Sequence, residues 1–242
     1  MKIIEFIGPP GSGKSTVISE LLQQRDDLLK PSGRTYFLNY GSKKFTLPYQ
    51  LIPEIFTNPL DRLLNSHYRR EALYKFIATH PRFLSTCSLH ARHTQRPEYF
   101  LNLFMKGAER RHLANTTVSD GDVIIMDENL CQYGAHMMTE YGYDPTFSDV
   151  SDYFDSFTSP DVLIHVNPPS DVGVKRQNQR GGMHSFVNHV PKEYKSPVEA
   201  QKRFRAMCQL VVDNLNSEVI EVKNTKSVKN TVSEIIKGFN KT

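Results

Sequence analysis

The chain has 242 residues, an ordinary balance of apolar and charged side chains, and a formal net charge of +4. That length suits one α/β domain with a sizeable core, or one domain carrying an insertion. No apolar stretch reaches the length of a membrane span. Cys87, Cys131 and Cys208 are isolated and form no C-x-x-C, which speaks for reduced thiols and against a disulfide framework.

Lys2-Ile3-Ile4-Glu5-Phe6-Ile7 reads as a buried strand. It is too short for a signal peptide and runs directly into a glycine loop, so a cytoplasmic protein is expected. The loop, Gly8-Pro9-Pro10-Gly11-Ser12-Gly13-Lys14-Ser15, fits G-x-x-x-x-G-K-[ST] without a mismatch. Thr16-Val17-Ile18-Ser19-Glu20-Leu21-Leu22 then reads as a helix, so the motif sits in the strand–loop–helix context it requires. Glycines let backbone N–H groups wrap a phosphate, and the helix N-terminus adds partial positive charge. Gly8, Gly11, Ser12 and Gly13 are expected to cradle phosphates. Lys14 should reach the β- and γ-phosphates, Ser15 should hold Mg²⁺, and Thr16 should meet the α-phosphate. A plain glycine turn would need neither Lys14 nor Ser15.

Arg34–Tyr40, opened by Pro31-Ser32-Gly33, reads as a second strand. Residues 41–117 then turn helical, with Leu60, Leu63, Leu64 and Tyr68, and later Leu73, Phe76 and Ile77, at helical spacing. Pro53, Pro59, Pro81 and Pro97 divide this insertion into several helices. It is rich in cations: Arg62, Arg69, Arg70, Lys75, Arg82, Arg92, Arg96, Lys106, Arg110 and Arg111 face only Glu71, Glu98 and Glu109. Such a block serves either an anionic substrate or a solvated helix face.

Strands resume at Gly121–Glu128, Pro160–Asn167 and, more weakly, Glu218–Val222, with helices expected at about 130–142, 147–157, 170–179, 197–214 and 226–239. Apolar strands covered on both faces imply a mainly parallel sheet. The fold class is therefore a three-layer α/β domain over residues 1–242, with a helical insertion at 41–117 as the acceptor region and a lid at 178–197.

Asp127 ends a hydrophobic strand, the place from which an acid supports Mg²⁺ beside Ser15. Glu128 follows it as a candidate base for a hydroxyl proton, or for orienting a water. Arg176 and Arg180 share one helix face before Gly181-Gly182, His184 and Ser185 open the lid. The nine histidines show no metal spacing. His90 and His93 read as surface helix positions or acceptor neighbours, and His165 as a hydrogen-bonded core residue. Lys192, Lys195, Lys202, Arg203 and Arg205 read as a solvated face or as phosphate contacts.

These motifs resemble the P-loop kinases of the nucleoside- and nucleotide-kinase group, thymidylate kinase and adenylate kinase among them. The resemblance rests on Gly8–Thr16, on Val123–Asp127, on Val162–Val166 with Pro168-Pro169 and Arg176-x-x-x-Arg180, and on Glu221–Asn224. It does not cover 41–117. It implies transfer of the γ-phosphoryl of ATP to a small acceptor, with Arg176 and Asn224 near the adenine and Arg180 near the moving phosphoryl. Where thymidylate kinases follow the strand-end Asp with an acceptor-binding Arg, this chain has Glu128. A carboxylate there would repel an acceptor phosphate, so a hydroxyl on a nucleoside, sugar or other metabolite fits better. A nucleotide stays open, since Arg69, Arg70, Arg92 or Arg96 could bind its phosphate. The alternatives are a hydrolytic P-loop NTPase, which here lacks N-K-x-D and L-S-G-G, and a polynucleotide 5′-kinase. Nucleic acid is not the expected partner, because the basic block lacks an aromatic stacking pattern.

Overall fold

A computed structural model describes residues 2–23, 35–38, 70–117, 123–181, 186–225 and 227–239. Strands β1 (Lys2–Ile7), β2 (Thr35–Leu38), β3 (Val123–Asp127), β4 (Val162–Val166) and β5 (Glu218–Val222) form one sheet in the order β2-β3-β1-β4-β5. Every pairing is parallel. The strands are near-continuous apolar runs because helices cover both faces.

One face packs on α1 (Lys14–Gln23) and α9 (Val228–Phe239). There Ile4, Phe6, Ile125, Ile164 and Val166 meet Val17, Ile18, Leu21, Val232 and Ile235 in a largely aliphatic layer. The other face carries the alternate residues, such as Ile7 and Leu163, into a larger aromatic core. That core lies under α2 (the described helical residues 70–79), α3 (Phe83–Ala91), α4 (Pro97–Thr117), α5 (Leu130–Thr139), α6 (Phe147–Asp155), α7 (Ser170–Gln179) and α8 (Pro197–Asn214). The starts of these helices are written locally. Asn129 caps α5 by accepting from Leu130 N at 2.9 Å, Thr146 and Asp149 form a capping box for α6, and Ser196 caps α8 ahead of Pro197.

The expected α/β architecture with a mainly parallel sheet is what folds, and the expected helices 170–179 and 197–214 match α7 and α8. Others end earlier than expected. In place of 130–142, α5 stops at Thr139, where the buried Arg203 guanidinium takes up the carbonyls of Thr139 at 2.9 Å and Tyr141 at 2.9 Å. Arg203 is thus a core residue, neither solvated nor a phosphate ligand. Within the basic block, Arg111 is likewise buried, 3.7 Å from Glu5, whereas Lys75 pairs with Glu71 on an exposed helix face. His90 is not a surface position. It is buried between Tyr141 Oη at 2.9 Å and Asp152 at 2.6 Å. His165 is core, but both ring nitrogens lack a hydrogen-bond partner among the described residues, and burial pushes its pKa down to about 4. The readings on 39–69, Gly121-Asp122, Arg34 and its turn, Gly182, His184 and Ser185 lie outside the described residues.

Because β1 lies between β3 and β4, with Phe6 opposite Asp127 and Ile7 opposite His165, three chain exits crowd one edge of the sheet. Ligands of open parallel sheets bind at such an edge.

Candidate functional site

The loop after β1 holds its shape through backbone conformations that side chains disfavour. Gly11 has φ 77°, and a Cβ there would sit 2.5 Å from the Gly173 carbonyl oxygen of α7. Gly13 has φ 90°, and a Cβ there would sit 2.5 Å from Asn224 Nδ2. The loop is therefore pressed between α7 and the turn after β5. Asn224 Nδ2 donates to the Ser12 carbonyl at 2.6 Å, and Thr231 Oγ1 donates to Asn224 Oδ1 at 3.1 Å. Arg176 ties the two turns together through Ser12 O at 3.2 Å and Asn224 O at 3.0 Å. On the other flank Gln201 Nε2 donates to Pro10 O at 2.7 Å.

Gly8 is gripped from both sides: its N–H donates to Gln132 Oε1 at 2.9 Å, and Lys14 Nζ donates to its carbonyl at 2.7 Å. Gln132 is placed by α5, whose first turn is anchored to β1. There the buried Glu5 carboxylate accepts from Cys131 N at 2.8 Å and Gln132 N at 3.4 Å. A carboxylate at a helix N-terminus is favourable. Burial raises the pKa of Glu5 from its ordinary range, while Arg111 opposes the shift.

Asp127 is buried at the end of β3 and accepts from Ser15 Oγ through Oδ2 at 3.0 Å. Its other oxygen, Oδ1, is buried without a partner among the described residues. An alcohol and a carboxylate with a spare lone-pair face are the hard oxygen donors Mg²⁺ takes, so these two residues fit that ion. Glu128 follows with φ 54°, a left-handed conformation costing a non-glycine residue roughly 1–3 kcal/mol. Burial raises the pKa of its carboxyl from its ordinary value. Lys14 opposes that shift and Asp127 adds to it.

Two cavities meet at these residues. The first, about 240 Å³, is lined by Pro10 to Ser15, Glu128, Gln177 and Arg180. The second, about 250 Å³, shares Pro10, Lys14 and Glu128, then extends along α5 past Gln132, Tyr133 and His136. Arg96, Tyr99 and Leu103 of the insertion close one side, and Phe186, His189 and Phe204 close another.

Of the expected site residues, Gly11, Ser12, Gly13, Lys14, Ser15, Glu128 and Arg180 line the first cavity, with Asp127 bonded beneath. Gly8 lies buried behind Lys14. Thr16 is exposed on α1 and lines neither cavity. Arg176 and Asn224 also line neither, and brace the loop from behind. Sequence reading missed Gln132 and His136. The four-residue spacing of Gln132 and His136, which puts one face of α5 along the cavity, was the available signal.

No protein-family model matches the chain, and no curated protein matches it. Among solved structures it is similar to deoxyadenosine kinase from M. mycoides with bound dATP, at TM-score 0.53 and 15% identity, covering 99% of this chain and 100% of that one. The same enzyme with products dCMP and a flexible dCDP bound matches at TM-score 0.51 and 16% identity, covering 100% of both chains. The chain thus has the fold of a P-loop nucleoside kinase.

Proposed function

We propose that this chain is a cytoplasmic, ATP- and Mg²⁺-dependent kinase that carries the γ-phosphoryl of ATP to a hydroxyl of a nucleoside. The observation that carries this reading is the junction of two cavities at Lys14 and Glu128. A hydrolase needs only the first cavity. The second, about 250 Å³, falls just below the usual run of ligand cavities, roughly 300–1,000 Å³, and suits one small molecule better than a polynucleotide. The solved structures sharing the fold are named as deoxyadenosine kinases, which supports a nucleoside over a sugar. Three buried free thiols accord with a reducing compartment.

In this reading the loop amides and Lys14 hold the β- and γ-phosphates, and Arg180 faces the same cavity. Ser15 and Asp127 are the residues that would hold Mg²⁺, which supplies neutralisation of phosphate charge. Glu128 accepts the proton of the acceptor hydroxyl as that oxygen bonds to γ-phosphorus and the bond to the bridging oxygen of ADP breaks. The burial that raises its pKa makes it a better proton acceptor. The insertion, through Arg96, Tyr99 and Leu103, forms the acceptor region. The lid, 178–197, contributes Arg180, Phe186 and His189.

The test is transfer of label from γ-labelled ATP to a panel of nucleosides, nucleoside monophosphates, sugars and 5′-hydroxyl oligonucleotides. Labelled nucleoside 5′-monophosphate as the main product is expected. Acceptor-independent phosphate release would establish the hydrolytic reading instead, and labelled oligonucleotide the polynucleotide one.

A further inference from the structure

The end of the acceptor cavity away from Lys14 has a chemistry of its own. Gln132 in α5 and Glu140, the residue that caps its C-terminus, are eight residues apart, about 12 Å at the helical rise. At the distal position the buried Glu140 carboxylate binds Arg96 side-on, through Nε to Oε2 at 3.4 Å and through Nη2 to Oε1. The guanidinium carbon lies 4.3 Å from the centroid of the Tyr99 ring. Two constraints, an ion pair and a stacking contact, therefore fix both the position and the plane of Arg96. Its remaining edge, at Nη1, has no partner among the described residues, and Arg96 lines the cavity.

That edge does not suit a phosphate. Glu140 already neutralises Arg96, and the neighbouring imidazoles add no charge at neutral pH. Burial and Arg96 push His136 down to about 3, and His189 is lowered for the same reasons. The distal end is thus neutral overall but rich in donors. Its remaining wall is aromatic, from Tyr99, Phe186 and Phe204. A neutral planar ring with hydrogen-bond acceptors on one edge matches this, and a dianion does not.

Resting on the nucleoside reading above, we infer that Arg96, clamped by Glu140 and laid on Tyr99, is the residue that selects the acceptor's base, and that it selects a 6-oxopurine. The free end of a guanidinium fork matches the adjacent O6 and N7 acceptors of guanine or hypoxanthine. An adenine would present its 6-amino donor to a donor.

Calorimetric binding without ATP tests this, comparing guanosine, inosine, 7-deazaguanosine and adenosine. Guanosine and inosine, which share O6 and N7, are expected to bind alike. Loss of N7 in 7-deazaguanosine, or replacement of O6 by an amino group in adenosine, should weaken binding by about 5–150-fold. Arg96→Lys keeps a cation beside Glu140, so the fold is retained, but it lacks the fork and should bind all four ligands within about threefold of one another. Adenosine binding as tightly as guanosine, or undiminished discrimination by Arg96→Lys, would overturn the assignment. Label transfer separates the two readings: phosphorylation of nucleosides without preference for guanosine sinks base selection and leaves the kinase. Selective guanosine binding with no transfer does the reverse.

Discussion

The two cavities share Pro10, Lys14 and Glu128 but are built by different means. Six of the nine residues lining the phosphate cavity are consecutive, Pro10 to Ser15. Their useful groups are mostly main-chain amides, which no substitution short of a changed backbone removes. The acceptor cavity is assembled from the same loop, α4, α5, α8 and residues 186–189, and presents side chains throughout. In the proposed reading one cavity binds a chemical group common to all nucleotides, while the other can be retuned one residue at a time. Its specificity is the more evolvable property.

Substitutions at the shared residues should damage both functions at once. Lys14→Ala removes the only side-chain cation of the loop. It is expected to lower phosphoryl transfer by several orders of magnitude with the circular-dichroism spectrum unchanged; transfer near wild type would contradict its role. Glu128→Gln should cost about 10²-fold or more in kcat, the usual contribution of a positioned base. The pH profile is the sharper readout. Glu128 acts ionised, and burial raises its pKa, so wild-type kcat/KM should rise with pH through a midpoint above the ordinary carboxylate value. Glu128→Gln should lack that acid limb, and its persistence would assign the limb to another group.

Smaller changes should separate the two cavities. Gly11→Ala forces a side chain onto φ 77° and against the Gly173 carbonyl, costing roughly 1–3 kcal/mol of stability in chemical denaturation. It should also weaken ATP binding and leave nucleoside affinity intact. Asn224→Ala removes one hydrogen bond to Ser12 O, worth about 1 kcal/mol. It should raise KM for ATP about fivefold, with KM for the acceptor unmoved. An equal rise in both constants would show that the loop and the acceptor cavity are coupled, through Gln132 on Gly8 N, more tightly than their separate construction suggests.

The same division governs what could be read in advance. The conformation of Gly8–Ser15 was legible because a strand, a glycine turn and a helix start are contiguous in the chain and make one local object. Asp127 was legible because a strand end in a parallel sheet has one neighbourhood. Arg203 and His90 misled because a residue's type says little about whether its helix face meets solvent or core.

By itself the sequence determined the strands, the phosphate loop, the strand-end acids and most helix starts, since each depends on residues close together in the chain. Only the tertiary structure decided that Arg96 meets Glu140 across the cavity, that Gln132 grips Gly8, and that Arg176 and Asn224 stand behind the loop. Those contacts join residues dozens to more than a hundred positions apart. Their distances are set by how helices pack over a shared sheet, which short-range pattern does not encode.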